Sequence, residues 1–190
     1  MKYISTILFL LLVTSAVSQG VVQPLELTNV VDGKTVSISS CSGCSGVAVI
    51  FTSLKCPYDQ QYQDRIKVLI EKYAGRVSFF LINANPGAEE DDSNMKAAYV
   101  RWGFSIPYLS DKKQTAMTAM NVKRTPEAVL LKPDGKVLKI VYQGAIDDNP
   151  QVHHDTGKNF LDDAIGELVA GKPIKIATER VVGCTIRKSD

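Results

Sequence analysis

The stretch Gly46-Val47-Ala48-Val49-Ile50-Phe51-Thr52-Ser53-Leu54-Lys55-Cys56-Pro57-Tyr58-Asp59 decides the fold. Val47 to Thr52 is a continuous β-branched and aromatic run. A strand with one wet face alternates apolar and polar residues, so an unbroken run predicts a central strand buried on both faces. Pro57 then opens a helix, because proline is favoured at the first helical position, where its missing N–H is no loss. Tyr58, Tyr62, Ile66, Leu69, Ile70 and Tyr73 keep a 3.6-residue period, and Gly75 ends it. Val77 to Ile82 is a second buried strand. Strand, helix, strand in this order predicts a parallel crossover.

Upstream, Leu25 to Ile38 reads as an N-terminal β-hairpin turning at Asp32-Gly33, followed by a small-residue loop, Ser39 to Gly46. Downstream, Asn83 to Asn94 is a polar loop whose acidic run, Glu89 to Asp92, reads as a solvated helix start. Met95 to Trp102 is a short helix, and Ile106 to Leu109 a short strand that Pro107 places near a sheet edge. Lys112 to Asn121 reads as a helix. Glu127 to Leu131 and Val137 to Tyr142 flank the turn Pro133-Asp134-Gly135 as a second hairpin. Phe160 to Val169 is an amphipathic helix ended by Gly171 and Pro173, and a tail runs from Ile174 to Asp190. The expected fold class is α/β, with a mixed central sheet and helices on both faces.

The chain has 190 residues, 45% hydrophobic and 22% charged, in the ordinary range for a globular protein. A net charge of +2 offers no clustered excess of base for nucleic acid. Lys2, the apolar run Ile4 to Val13 and the small residues Ala16-Val17-Ser18 form a secretory signal peptide over residues 1–18. Residues 19–190 are then the folded domain, with no membrane span after signal cleavage, in an exported, periplasmic or secreted protein. Two histidines, His153 and His154, leave little for a His-based metal site, and with Asp155 they read as a polar loop after Asp147-Asp148-Asn149. Neither a metal nor a cofactor is expected.

All four cysteines, Cys41, Cys44, Cys56 and Cys184, fall in the exported part, where disulfides persist. Cys56 sits where the central strand hands over to the helix. A helix N-terminus carries about half a positive charge and free N–H groups, which stabilise a thiolate, the reactive form. Cys41-Ser42-Gly43-Cys44 has Cys-x-x-Cys spacing but precedes the strand. It reads as a local disulfide, or as an auxiliary pair relaying electrons to Cys56; zinc lacks a second ligand pair.

Phe51-Thr52 leading to Cys56-Pro57, together with Thr125-Pro126 before a β-hairpin, resembles the thioredoxin superfamily. Cys56-Pro57-Tyr58-Asp59 is similar to the Cys-Pro-x-acid of peroxiredoxins rather than to Cys-x-x-Cys. Further stretches extend the resemblance to the peroxiredoxin-like group of the AhpC/TSA (redoxin) family. They are Ile106-Pro107-Tyr108-Leu109, Arg124-Thr125-Pro126, Gly144-Ala145-Ile146-Asp147-Asp148-Asn149, Ala170-Gly171-Lys172-Pro173 and Gly183-Cys184-Thr185-Ile186. The resemblance implies a thioredoxin-like fold, Cys56 as redox nucleophile, and Thr125-Pro126 as a cis-proline turn beside it. Thr52, Thr125, Pro126 and Asp59 are then the substrate-side residues. Arg124 would lie near the thiolate and stabilise it.

The pattern departs from the family in three places. Asp59 replaces the second cysteine of thioredoxins, Val49 stands where a peroxiredoxin has proline, and Ser53 stands where it has threonine. Three roles are open to Asp59: accepting a proton, raising the thiol pKa, or capping the helix. Cys56 therefore needs a distant resolving thiol, and Cys184, in a tail mobile enough to reach it, is the candidate. A Cys56–Cys184 staple is the structural alternative. The expected function is that of an exported thiol-dependent oxidoreductase acting on a peroxide or a protein disulfide, with an external thiol as electron donor. A thiol–disulfide oxidoreductase without peroxidase activity and a non-catalytic binding module are the rivals.

Overall fold

The computed structural model describes residues 20–151 and 156–189. The expected signal peptide, residues 1–18, and the loop His153-His154-Asp155 lie outside the described residues.

Among the described residues, ten strands and four α-helices follow one another. β1 (Val21–Val22), β2 (Leu25–Asn29) and β3 (Thr35–Ile38) precede β4 (Gly46–Phe51). Next come α1 (Pro57–Lys72), β5 (Val77–Asn83), a 3-10 turn (Ala88–Glu90) and α2 (Asp92–Trp102). Then follow β6 (Tyr108–Ser110), α3 (Thr115–Ala119), β7 (Arg124–Thr125), β8 (Glu127–Asp134), β9 (Val137–Gly144), α4 (Phe160–Val169) and β10 (Cys184–Thr185). Eight strands form one mixed sheet in the order β1-β9-β8-β4-β5-β6-β2-β3, and β7 and β10 pair separately. β4, β5 and β6 run parallel, as expected for the α1 crossover, and the flanking hairpins are antiparallel.

β4 explains why its run is apolar throughout: all six residues are buried. Successive side chains of a strand point to opposite faces. Ala48 and Ile50 join Tyr62, Ile66 and Leu69 of α1 and Leu161, Ile165 and Leu168 of α4 in one core cluster. Val47, Val49 and Phe51 join Ala116, Met120, Val122 and Ile186 in the other. Gly46 admits no side chain, since a Cβ there would lie 2.7 Å from the Leu131 carbonyl oxygen.

Three expectations are corrected. The Ile106 to Leu109 strand is not at an edge: β6 lies between β5 and β2, pairing Leu81 with Tyr108 and Thr28 with Ser110. Pro107 precedes the strand, so its missing N–H interrupts no ladder, and the N-terminal hairpin takes the edge instead. The expected Lys112 to Asn121 helix contracts to Thr115–Ala119, because Gln114 is left-handed at φ 55°. The carboxylate of Asp111 there accepts from the amides of Thr115 and Met117, both at 2.8 Å. The acidic run is a helix start at Asp91, which accepts from Asn94 N, but Glu90 is buried rather than solvated.

Candidate active site

Cys56 caps α1 from the loop Thr52–Lys55, with extended backbone (φ −85°, ψ 118°) and no side-chain cap. It is 1% exposed. That loop is held from below by Glu90. The Glu90 carboxylate accepts from Ser53 Oγ at 2.5 Å, Leu54 N at 2.8 Å, Lys55 N at 3.3 Å and Asn83 Nδ2 at 2.6 Å. A buried carboxylate is tolerated when donors surround it in this way. Thr52, expected on the substrate side, turns inward: its hydroxyl donates to Tyr108 Oη at 3.1 Å.

The peptide bond Thr125–Pro126 is cis, as the resemblance implied. The carbonyl oxygen of Thr125 lies 3.4 Å from Cys56 Sγ. Asp59, one turn along α1, is also buried, and both its carboxyl oxygens lack hydrogen-bond partners. Burial pushes its pKa well above the usual carboxylate value. The Thr125 hydroxyl and the Ser53 amide oppose that shift from nearby without completing a hydrogen bond, and the Glu90 charge adds to it. The Thr125 hydroxyl is likewise buried and unpartnered. An acid whose pKa burial raises and an unpartnered hydroxyl thus flank the cysteine, one from α1 and one from the residue before cis-Pro126.

Cys56 and Cys184, 128 residues apart in sequence, form a disulfide with Cα atoms 5.8 Å apart. The expected mobile tail is anchored. β10 pairs antiparallel with β7, placing Cys184 opposite Thr125 and Thr185 opposite Arg124. Ile186 N donates to Lys123 O at 2.9 Å, and its side chain is 5% exposed within the second core cluster. Gln114 straps the tail further: Nε2 donates to Arg187 O at 2.6 Å, and Oε1 accepts from Ser189 N at 3.1 Å. Gly183 approaches so closely that a Cβ would overlap the Thr125 carbonyl oxygen. Arg124 is placed differently from expectation. Its side chain is exposed, and Nη1 donates to Gly183 O at 2.9 Å, so its hydrogen bond holds the tail and does not reach the sulfur.

A cavity of about 260 Å³ opens beside the disulfide, lined by Ser53, Lys55, Cys56, Asn85, Cys184 and Arg187 among others. Behind the site, Arg65 and Asp147 make a buried ion pair at 2.6 Å, which Tyr62 Oη joins at 2.7 Å. Cys41 and Cys44 are bonded to each other, Cα atoms 5.2 Å apart, beside Gly75 O and Ser78 Oγ. This pair precedes β4 while Cys56 follows it, so a six-residue strand, about 20 Å long, separates them. Of the two readings of this pair, the local disulfide is the one present; a relay to Cys56 would need sulfur contact, and the length of β4 keeps the two pairs apart.

The sequence reading did not single out Glu90, Asn83, Tyr108, Gln114 or Arg65. Glu90 looks like any acid in an acidic run. Its one local signal is the preceding Pro86-Gly87, a turn that redirects the chain toward the site.

A family model described as Redoxin matches residues 17–155. No curated protein matches the chain. Among solved structures, an uncharacterized conserved protein of Geobacillus kaustophilus is 28% identical, with TM-score 0.80, covering 90% of this chain and 92% of that one. A hypothetical protein of Sinorhizobium meliloti is 23% identical, with TM-score 0.76 and coverage of 91% and 95%. A secreted Mycobacterium tuberculosis disulfide oxidoreductase is 15% identical, with TM-score 0.52 and coverage of 77% and 95%. The fold is thioredoxin-like, as expected.

Proposed function

Because the chain belongs to the redoxin family, we propose that it is an exported thiol–disulfide oxidoreductase in which Cys56 is the nucleophile and Cys184 the resolving thiol. The observation that carries this reading is the Cys56–Cys184 bond itself, formed at a helix N-terminus beside cis-Pro126 by residues 128 positions apart. In the reduced protein the α1 N-terminus stabilises the Cys56 thiolate. The thiolate attacks a substrate disulfide, one substrate sulfur leaves as a thiolate, and a mixed disulfide results. Cys184 then attacks Cys56 Sγ, the reduced substrate leaves, and the Cys56–Cys184 bond re-forms. An external thiol donor returns that bond to the dithiol. Asp59, whose carboxyl burial makes a weaker acid than an exposed one, is the group assigned to protonate a departing thiolate. Arg124 is a positioning residue for the tail through Gly183.

Protein disulfides are favoured over peroxide as substrate because the Arg124 hydrogen bond goes to the tail, and Val49 replaces the proline of the peroxidase pattern. Export fits two disulfides in one chain, a state that oxidising compartments maintain. The test mixes reduced protein with a model disulfide and, separately, with hydrogen peroxide in a stopped-flow instrument. Rapid mixed-disulfide formation at Cys56, with peroxide consumed no faster than by an ordinary thiol, is the expected result. Rapid sulfenate formation at Cys56 assigns it to peroxide instead. A Cys56–Cys184 bond that resists mild reductant assigns the chain to a non-catalytic module.

A further inference from the structure

The Cys41–Cys44 disulfide sits in a loop whose shape is held by other bonds. Cys41 N donates to Ser78 Oγ at 3.1 Å, Cys44 N to Cys41 O at 3.0 Å, and Ser45 N to Arg76 O at 2.8 Å. The second of these closes a four-residue turn in which Gly43 takes the left-handed conformation, at φ 80°. The turn brings the two Cα atoms to 5.2 Å whether or not the sulfurs are joined. A covalent link between residues three apart also restrains the unfolded chain little, since that restraint grows with loop length. The bond is thus poorly placed as a staple.

The two sulfurs differ in surroundings. Cys41 is exposed and Cys44 half-buried, whereas Cys56 is 1% exposed. Ser78 Oγ accepts from the Cys41 amide, which leaves its hydroxyl hydrogen to donate to Cys44 Sγ, 3.8 Å away. A hydroxyl donating to a sulfur favours that sulfur as the departing thiolate. Gly75 O, 3.9 Å from the same sulfur, accepts from the thiol once it is protonated. The loop from Ser39 to Gly46 carries only serine, glycine and cysteine, so it holds no charged or bulky side chain to select a large partner.

We propose that Cys41–Cys44 is a second thiol–disulfide exchange site, open to small monothiols, at which Cys41 takes the incoming sulfur and Cys44 leaves as a thiolate held by the Ser78 hydroxyl. The site is separate from Cys56 and does not rest on the reading of Cys56 as nucleophile. The monothiol gives its proton to solvent, and its thiolate attacks Cys41 Sγ. The Cys41–Cys44 bond breaks with its electron pair on Cys44, leaving a mixed disulfide between Cys41 and the monothiol. Because the turn keeps the cysteines together, Cys44 can attack Cys41 Sγ in return, expel the monothiol and restore the pair. A second monothiol that attacks the bound one instead releases Cys41 as a thiolate. Two monothiols then leave as their disulfide, and the pair has gained two electrons.

The chain then carries two exchange centres of opposite character. The buried bond at Cys56 answers to a substrate that reaches the head of α1. The exposed bond at Cys41 answers to the monothiol pool around the protein and is the first to open in it.

The test treats the full oxidised chain with glutathione and, separately, with 2-mercaptoethanol over a time course. Samples are quenched in acid, alkylated with N-ethylmaleimide and mapped by mass spectrometry. The expected first product carries the monothiol on Cys41 and the alkyl group on Cys44, with both probes, while Cys56 and Cys184 remain joined. Ser78→Ala is expected to slow its formation by about threefold or more, the scale of one hydrogen bond, and Ser78→Thr to restore it. A first adduct on Cys44, or opening of Cys56–Cys184 before Cys41–Cys44, overturns the inference. So does a Ser78→Ala chain that opens as fast as the parent. The parent chain alone decides the first two outcomes, so they stand if a Ser78 variant fails to fold. A Cys56–Cys184 bond that resists reductant while Cys41 takes up the monothiol defeats the oxidoreductase reading of Cys56 and leaves this site standing.

Discussion

Thr125 and Cys184 face each other across an antiparallel β-bridge, and the carbonyl of Thr125 also lies 3.4 Å from the sulfur of Cys56. One residue beside the cis-proline thus touches both halves of the disulfide. Strand pairing, the cis peptide and the helix N-terminus converge at one atom group, which is why cysteines so far apart in sequence meet there.

Closing a loop of 128 residues restrains the unfolded chain strongly. Reducing the Cys56–Cys184 bond is expected to lower unfolding stability by up to about 5 kcal/mol on the chain-entropy model. Denaturant unfolding of the oxidised chain and of the Cys184→Ser variant checks this, and equal midpoints would contradict it. Cys184→Ser is also expected to accumulate the mixed disulfide with a model substrate, visible by mass spectrometry, whereas Cys56→Ser forms none.

Asp59 predicts a distinctive pH dependence. Its folded-state pKa lies above its unfolded value. The folded state therefore holds the proton more tightly, and the stability this confers is complete below the ordinary carboxylate pKa. It is lost as pH rises through the raised folded value. Asp59→Asn cannot ionise and escapes that loss. The melting temperature of Asp59→Asn relative to the parent chain should climb as pH rises, and parallel curves would contradict the burial argument. If Asp59 protonates a departing thiolate, the same variant should also lose the alkaline limb of the exchange-rate profile.

Glu90→Gln tests whether the loop beneath Cys56 is held by charge. The carboxylate accepts four donors, and an amide presents two N–H groups of its own to them. A loss of about 2 to 3 kcal/mol is expected, the usual scale for hydrogen bonds to a charged group. Alkylation of reduced Cys56 should slow as the helix cap loosens. An unchanged midpoint in denaturant would show that water replaces the carboxylate without cost.

Arg65 and Asp147 are almost fully buried, with Tyr62 and the Asn149 carbonyl as further partners. Arg65→Met is expected to cost about 3 to 5 kcal/mol, because it leaves a buried carboxylate without its cation. Arg65→Met with Asp147→Leu should recover most of that, and a double variant as unstable as the single would contradict the assignment.

The distal pair predicts independence. Cys41→Ser with Cys44→Ser should leave the Cys56 exchange rate unchanged, since the β4 strand separates the two sites. The loop it closes is short, so the stability change should stay within about 2 kcal/mol. A tenfold fall in the Cys56 rate would restore a relay between the pairs.

Much of this site was legible in the residues. The strand–helix elbow announced itself through the unbroken run Val47 to Phe51 and through Pro57, and Cys56 stood at the junction. The cis-proline turn came only with the family resemblance. Glu90 was not legible, because burial of one acid among four is set by where the 3-10 turn Ala88–Glu90 folds back, and no local pattern encodes that. Pro107 misled for a related reason: its constraint falls one residue before the strand, and which strand lies alongside is decided elsewhere in the chain.

Local residue order sets the periodic elements and the chemistry they carry. Hydrophobic period and proline or glycine punctuation act within a few residues, and a cysteine after a buried strand and before a helix is placed by them alone. Long-range packing places the tail on β7 with Cys184 opposite Thr125, lets Arg124 hold Gly183, and sets the Cys41–Cys44 pair at the far end of β4 from Cys56. Those relations depend on backbone edges meeting across the whole chain. The energy of such pairing comes from packing and register, which no stretch of neighbouring residues contains.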